Sequence, residues 1–224
     1  MAKPMTIYGR ILSPFVTRVV LAARAKDFKY ELLLPEIGIK SPAYLKLNPF
    51  GKIPVLKDGK TAVFESTVIV EYLDAKSRAK KLVPSAAKAA GQVRLVAAVA
   101  GEYVQAPAVK LFRHKRGTAV EPVDVNATLA DFNKCLDALE HVMLKGKFAG
   151  GSKFSIADCF TAPALIYAVA VGDMYGLGNI LGSRPKTARY FAAIQKDKIA
   201  KPVLDDMKAM MAQALAGQLP PIKQ

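Results

Sequence analysis

The patterning of this chain predicts an α/β layer followed by an all-helical half, that is, a mixed four-stranded sheet with its helices in the first 80 residues and helices alone after it. Three observations predict it. The hydrophobic period switches repeatedly between 2 and 3.6 up to about residue 80 and then stays helical. Two apolar stretches flank "KDGK", a strong hairpin signal. A charged run ending at Pro84 separates the two regimes. The domains so read are 1–80 and 86–224.

Taken in order, "MTIYG" reads as a short strand. "PFVTRVVLAARA" (14–25) follows as a helix, with Phe15, Val16, Val19, Val20 and Ala23 at helical spacing. Ser13 and Pro14 suit its N-cap and first position. "KYELLLP" reads as a second strand and "SPAYLKL" as a short helix with Pro42 in its first turn. "IPVLKDGKTAVFE" holds a hairpin, which is necessarily antiparallel, so the sheet is mixed. "STVIVEYLDAK" reads as a helix capped by Ser66. Beyond "AKKLVPSAA", helices are expected over about 86–116, 122–145, 155–171, 185–197 and 201–216, with Pro107 kinking the first. "GLGNILG" has the wrong glycine spacing for a dinucleotide loop and no strand before it, so it reads as a helix-to-helix connection.

Composition excludes several classes of function. The 224 residues suffice for a buried core. The start "MAKPMTIYGR" lacks the apolar stretch of a secretion signal, which makes the cytoplasm the expected compartment. The longest charge-free run, "CFTAPALIYAVAVG", falls short of the roughly 20 residues that span a bilayer, so it reads as a core helix and no membrane partner is expected. Cys135 and Cys159 form no CxxC and read as buried thiols; with His114 and His141 isolated, no metal site is expected. The net charge of +15 raises nucleic acid as a partner. It is divided almost evenly, +8 over 1–83 and +7 beyond. The clusters at Lys76–Lys81 and "RHKR" (113–116) resemble solvated helix ends without interleaved aromatics, so nucleic acid is not the expected partner.

Chemistry concentrates in the first 80 residues. Ser13 can cap the helix or offer its hydroxyl to a ligand, and local pattern does not decide between them. Pro54 opens a strand and restricts Ile53 to an extended or turn conformation. Glu65 and Ser66 stand between a strand and a helix N-terminus, a place that favours an anion. The order of elements is that of a thioredoxin-like sheet, and "SPFV" falls where redoxins carry CxxC. Ser13 and Val16 replace both cysteines, which excludes thiol–disulfide exchange at that motif.

On "SPFVTRV", "SPAYLKLNPFGKIPVL", "FESTVIVEYL" and "GGSKFSIADCF", in this order along nearly the whole chain, the sequence resembles a cytosolic glutathione transferase of the serine type, in the phi/tau/theta-like group. The resemblance implies a thioredoxin-like glutathione-binding domain, an all-helical domain and a homodimer. It implies glutathione as co-substrate, its thiolate attacking a soft electrophile. Isomerisation, dehalogenation, peroxide reduction or a non-catalytic binding role are other uses of the same fold. By the same resemblance Ser13 donates a hydrogen bond to the thiolate, with Phe15 nearby in the glutathione site. Pro54 is a cis proline turning the Ile53 backbone toward the cysteinyl unit. Glu65 takes the γ-glutamyl ammonium, Ser66 the γ-glutamyl carboxylate, and Lys40 and Lys52 the glycyl carboxylate. Ile11, Leu12, Tyr103, Pro107 and Phe112 are expected around an electrophile between the halves. Ser155 and Asp158 match the family's helix-capping box.

Overall fold

In the computed structural model, residues 4–224 are described. β1 (Met5–Tyr8) leads through α1 (Pro14–Ala25) to β2 (Tyr30–Leu33), which pairs parallel to β1. After the single-turn helix α2 (Pro42–Leu45), β3 (Val55–Asp58) pairs antiparallel to β1 and β4 (Thr61–Phe64) antiparallel to β3. The four-stranded mixed sheet has the order β2-β1-β3-β4, and α3 (Ser66–Lys76) packs against α1. β1 alternates as its sequence requires, with Met5 and Ile7 buried and Thr6 and Tyr8 half-buried. Ile7, Val16, Val19, Leu56, Ile69 and Leu73 are wholly buried and form the centre of this layer.

Two local features differ from expectation for physical reasons. Ser66 was the expected cap of α3, but the N-cap is Glu65, held at φ 67°, and Ser66 is the first helical residue. The residue that ends α1 also buries charge. The Lys26 Nζ is fully enclosed and donates to Asp74 Oδ1 at 2.9 Å and to the carbonyls of Ser77 and Ala79, both at 2.7 Å. Asp74 Oδ1 in turn accepts the Leu82 N–H at 2.7 Å. A buried cation surrounded by acceptors ties the end of α1 to the segment that leaves α3.

The chain forms two compact units. One runs up to Leu82 and takes in Pro202–Gln224, and the other is Val83–Lys201. Where the sequence was divided at 80–86, most of α9 (Ala200–Leu215) and the tail after it belong with the sheet. Arg10 Nη1 donates to the Pro220 carbonyl at 2.5 Å, and Ile39 N donates to the Lys223 carbonyl at 2.9 Å.

The second unit contains α4 (Ala87–Ala98), α5 (Gln105–Lys115), α6 (Val125–Val142), α7 (Ile156–Met174) and α8 (Pro185–Ile194). Helices α4 and α5 are joined without a break by a π-helical turn, Val99–Val104. The disturbance expected at Pro107 thus appears one turn earlier. Proline has no N–H for the Tyr103 carbonyl and its ring crowds that oxygen, and a widened turn ending beside Tyr103 accommodates both. Two helical stretches, Ala87–Lys115 and Ile156–Met174, have the length and apolarity of a bilayer crossing. Their most apolar windows are 61% and 83% buried in the protein's own interior, the burial of core helices. The "RHKR" cluster closes on aromatic rings: His114 Nδ1 lies 2.9 Å from the Tyr175 hydroxyl, Lys115 Nζ lies 5.3 Å from that ring's centroid, and the Arg116 guanidinium lies 5.6 Å from the centroid of Phe112.

Candidate active site

The sheet register gathers the candidate residues at one end of the first unit. Tyr8 is opposite Val55, and Val55 is opposite Phe64. The loop after β1, the residue before β3 and the residues after β4 therefore emerge together, and these are Gly9–Ser13, Pro54 and Glu65–Ser66. Gly9 makes this possible, because a Cβ there would stand 2.5 Å from Val16 Cγ2.

Ser13 occupies the N-cap position of α1 with extended backbone (φ −67°, ψ 122°), yet its hydroxyl makes no capping hydrogen bond. Its main chain does the structural work. Ser13 N donates to the Arg10 carbonyl at 2.9 Å, and the Ser13 carbonyl accepts from Val16 N and Thr17 N, both at 3.0 Å. Of the two roles that local pattern leaves open to the hydroxyl, capping is therefore not the one it plays. The half-buried oxygen is uncommitted and lies at the positive end of a 12-residue helix, where an anion is favoured.

The Ile53–Pro54 peptide is cis. The backbone just before it is held by two side chains that sequence reading missed. The buried Tyr44 donates its hydroxyl to the Lys52 carbonyl at 2.9 Å, and the buried Asn48 donates Nδ2 to the same oxygen at 2.8 Å. Burial, and secondarily the nearby Tyr8, push the Tyr44 phenol well above its ordinary value, so it stays a donor across the working pH range. Lys40 donates Nζ to the Phe50 carbonyl at 3.1 Å and lies across Gly51, where a Cβ would stand 2.9 Å from that nitrogen. Lys40 and Lys52 are both exposed and converge on the same short stretch.

Glu65 is exposed and holds a left-handed φ of 67°, which no glycine is present to ease. Such backbone costs of order 1–3 kcal/mol and persists at sites that need it. Ser66 is 6% exposed, and its hydroxyl lies 3.4 Å from Nη1 of Arg18. Arg18 is itself 3% exposed and stacks its guanidinium 4.8 Å from the centre of the Phe15 ring. Sequence reading passed over Arg18 as one polar residue in an apolar run. The structure makes it a buried positive charge at the first residue of α3, linking that helix to α1.

A family model described as "Glutathione S-transferase, N-terminal domain" matches residues 7–81, and one described as "Glutathione S-transferase, C-terminal domain" matches residues 122–193. Glutathione S-transferase 3 of Zea mays is 32% identical over 74% of this chain and 79% of its own length. The chain belongs to the glutathione S-transferase family. Glutathione S-transferase PM239X14 of Arabidopsis thaliana is 30% identical, over 84% of this chain and 89% of that one. Among solved structures, poplar glutathione transferase F1 superposes with a TM-score of 0.78 at 29% identity, covering 93% of this chain and all of that one.

As in other transferases of this family, the N-terminal unit is the thioredoxin-like layer. Of the residues expected around an electrophile, Ile11 and Leu12 are buried in the loop that ends at Ser13, at 7% and 9% exposed. Ile11 lines a cavity of about 450 Å³ together with Val20 and Arg24 of α1, Leu32 of β2 and Val203 and Met210 of α9. In the second unit Tyr103 is 61% exposed, whereas Pro107 is buried. Phe112, 1% exposed and edge-on to Tyr167 with centroids 4.8 Å apart, is a core residue of the transferase. Among the described residues no group of three or more His, Cys, Asp or Glu is placed to hold a metal.

Proposed function

We propose that this protein binds glutathione at the end of the sheet and uses Ser13 to hold its sulfur as a thiolate for attack on a soft electrophile. The observation that carries the reading is the Ser13 hydroxyl, uncommitted to capping and set at the N-terminus of α1 on the sheet end that also bears Pro54 and Glu65–Ser66.

A free thiol with a pKa near 8.5 is only a few per cent ionised at pH 7. Lowering it by ~2 units requires ~2.7 kcal/mol of preferential thiolate stabilisation. One charge-assisted hydrogen bond from Ser13 and the positive end of α1 are of that size together. The thiol proton leaves to solvent, the sulfur lone pair forms the new S–C bond, and the leaving group departs with its electron pair, or in an addition the neighbouring carbon takes a proton. Ile53 would pair its backbone with the cysteinyl unit. Glu65 would accept from the γ-glutamyl ammonium. Ser66 at the start of α3, with Arg18 behind it, would receive the γ-glutamyl carboxylate. Lys40 and Lys52 would face the glycyl carboxylate, and Ile11 and Leu12 would meet the electrophile beside Ser13. Phe50 (59% exposed), edge-on to Phe64, is an exposed aromatic side chain of the sheet unit that a second copy would cover in a homodimer.

Titration calorimetry with reduced glutathione tests the binding half of this reading. Parent protein should bind, and Glu65→Ala should bind about tenfold more weakly, the loss of one charge-assisted contact. Its melting temperature should stay within a few degrees of parent, because Glu65 is exposed. Equal affinity in the two proteins would remove Glu65 as the ammonium partner, and a parent that binds no glutathione would remove the reading itself.

A further inference from the structure

Thr17 interrupts the apolar face of α1 with a hydroxyl that is wholly buried. That hydroxyl is 2.7 Å from the Ile11 carbonyl and 3.1 Å from the Ser13 carbonyl. The second contact is ordinary, since threonine in a helix commonly meets the carbonyl four residues back. The first is not a helical contact. It reaches six residues back, out of the helix and into the loop, and so encloses Leu12 and Ser13 in a ring closed by one side chain. No other donor to the Ile11 carbonyl occurs among the described residues.

We infer that Thr17 is a positioning residue for Ser13, fixing the loop so that the Ser13 hydroxyl points at the sulfur of bound glutathione. The inference rests on the reading of Ser13 proposed above. The Ser13 main chain is already pinned by Arg10 before it and by Val16 and Thr17 after it. The Arg10–Ser13 bond closes a turn with Ile11 and Leu12 at its centre, and the Thr17 hydroxyl, by donating to the Ile11 carbonyl, holds that turn onto the first turn of α1. A hydrogen bond from Ser13 to a thiolate acts only when donor and sulfur meet at bonding distance, and displacements of the order of 1 Å in such a group cost rate heavily. Glu65 and Ser66, at the start of α3, do not depend on this ring. Losing it should therefore disturb the sulfur and leave the anchoring of the peptide's γ-glutamyl end in place.

The test uses full-length protein and reads the ultraviolet thiolate band of bound glutathione against pH, alongside glutathione affinity and turnover. Thr17→Val keeps the side-chain shape and removes the hydroxyl. It should raise the bound thiol pKa by about 0.5–1 unit and lower turnover about three- to tenfold near neutral pH, with glutathione affinity within about twofold of parent. Thr17→Ser, which retains the hydroxyl, should restore the parental thiol pKa. A purely structural role would lower the melting temperature or the affinity and leave the thiol pKa where it was, and that result overturns the inference. Thr17→Ala removes the same group with less bulk, so one folded variant of the two suffices. If neither folds, the hydroxyl is a folding device and the inference fails. Ser13→Ala run in parallel separates the two ideas. A raised pKa there with a parental pKa in Thr17→Val removes the role of Thr17 alone, while a parental pKa in Ser13→Ala removes both.

Discussion

Ser13→Ala should return the thiol of bound glutathione to near its free value and slow turnover at neutral pH about 10- to 100-fold. The size follows from the one contact removed. A hydrogen bond to a charged group contributes roughly 1.5–3 kcal/mol, which corresponds to about 1–2 pKa units and, for a reaction whose nucleophile is the thiolate, to the same number of decades in rate. The effect should shrink as pH rises, because above about pH 9 the thiol ionises without help. It should leave the fold almost untouched, since the hydroxyl makes no capping bond and the Ser13 backbone bonds survive in alanine. Thiolate absorbance against pH, with rates at pH 6.5 and pH 9, checks all three statements. A variant with unchanged thiol pKa would leave Ser13 with its backbone role only, and the thiolate would then need the helix N-terminus and its surroundings alone.

Much of this site is legible in the sequence, and what is not shares one cause. The elements of the sheet unit are local matters of period, turn residues and proline placement, and they lie where patterning puts them, from Met5–Tyr8 to the hairpin at Gly59. That Ser13 stands at a helix start is equally local. What its hydroxyl does is not, because Ser13 could cap α1 and does not, and nothing within a few residues records the difference. Arg18, Lys26 and Thr17 look like blemishes in an apolar helix. Each is instead buried against a partner that lies elsewhere, namely Ser66, Asp74 and the Ile11 carbonyl. Tyr44 and Asn48 read as packing and surface residues until both are seen to hold the Lys52 carbonyl. The tail is the largest case. No periodicity reports that Pro202–Gln224 returns to the sheet unit, because hydropathy shows that a helix has an apolar face but not which surface covers it. The basic charge is partly legible on the same terms, since "RHKR" is a visible run but Tyr175, which meets His114 and Lys115, stands some 60 residues away.

The largest stability effect should come from Asp158, and it should depend on pH. Asp158 is wholly buried as the third residue of α7. Its Oδ1 accepts the Ala149 N–H at 2.9 Å, and its Oδ2 accepts the Ser155 N–H at 2.8 Å and lies 3.3 Å from the Ser155 hydroxyl. Asp158→Ala would strand two buried N–H groups at roughly 1–3 kcal/mol each, so a loss of about 3–5 kcal/mol and a fall of the order of 10 °C in melting temperature are expected. Burial pushes the Asp158 carboxyl up to about 7, against the pull of the Ala149 and Ser155 donors. A carboxyl whose folded pKa lies above its unfolded value of 3.8 binds its proton more readily in the folded state. Its contribution to stability is complete below the unfolded value and drains away as pH rises through about 7. Between pH 6 and pH 8 the parent should therefore lose on the order of 1 kcal/mol from this group alone. Asp158→Asn cannot titrate. It should be less stable than the parent throughout, because its amide nitrogen offers no acceptor to one of the two N–H groups. The gap should narrow by that same amount from pH 6 to pH 8. Urea unfolding of both proteins at the two pH values measures the difference directly. A gap that widens as pH rises would mean that the two N–H donors outweigh burial and hold Asp158 as a carboxylate, with its folded pKa below the unfolded one.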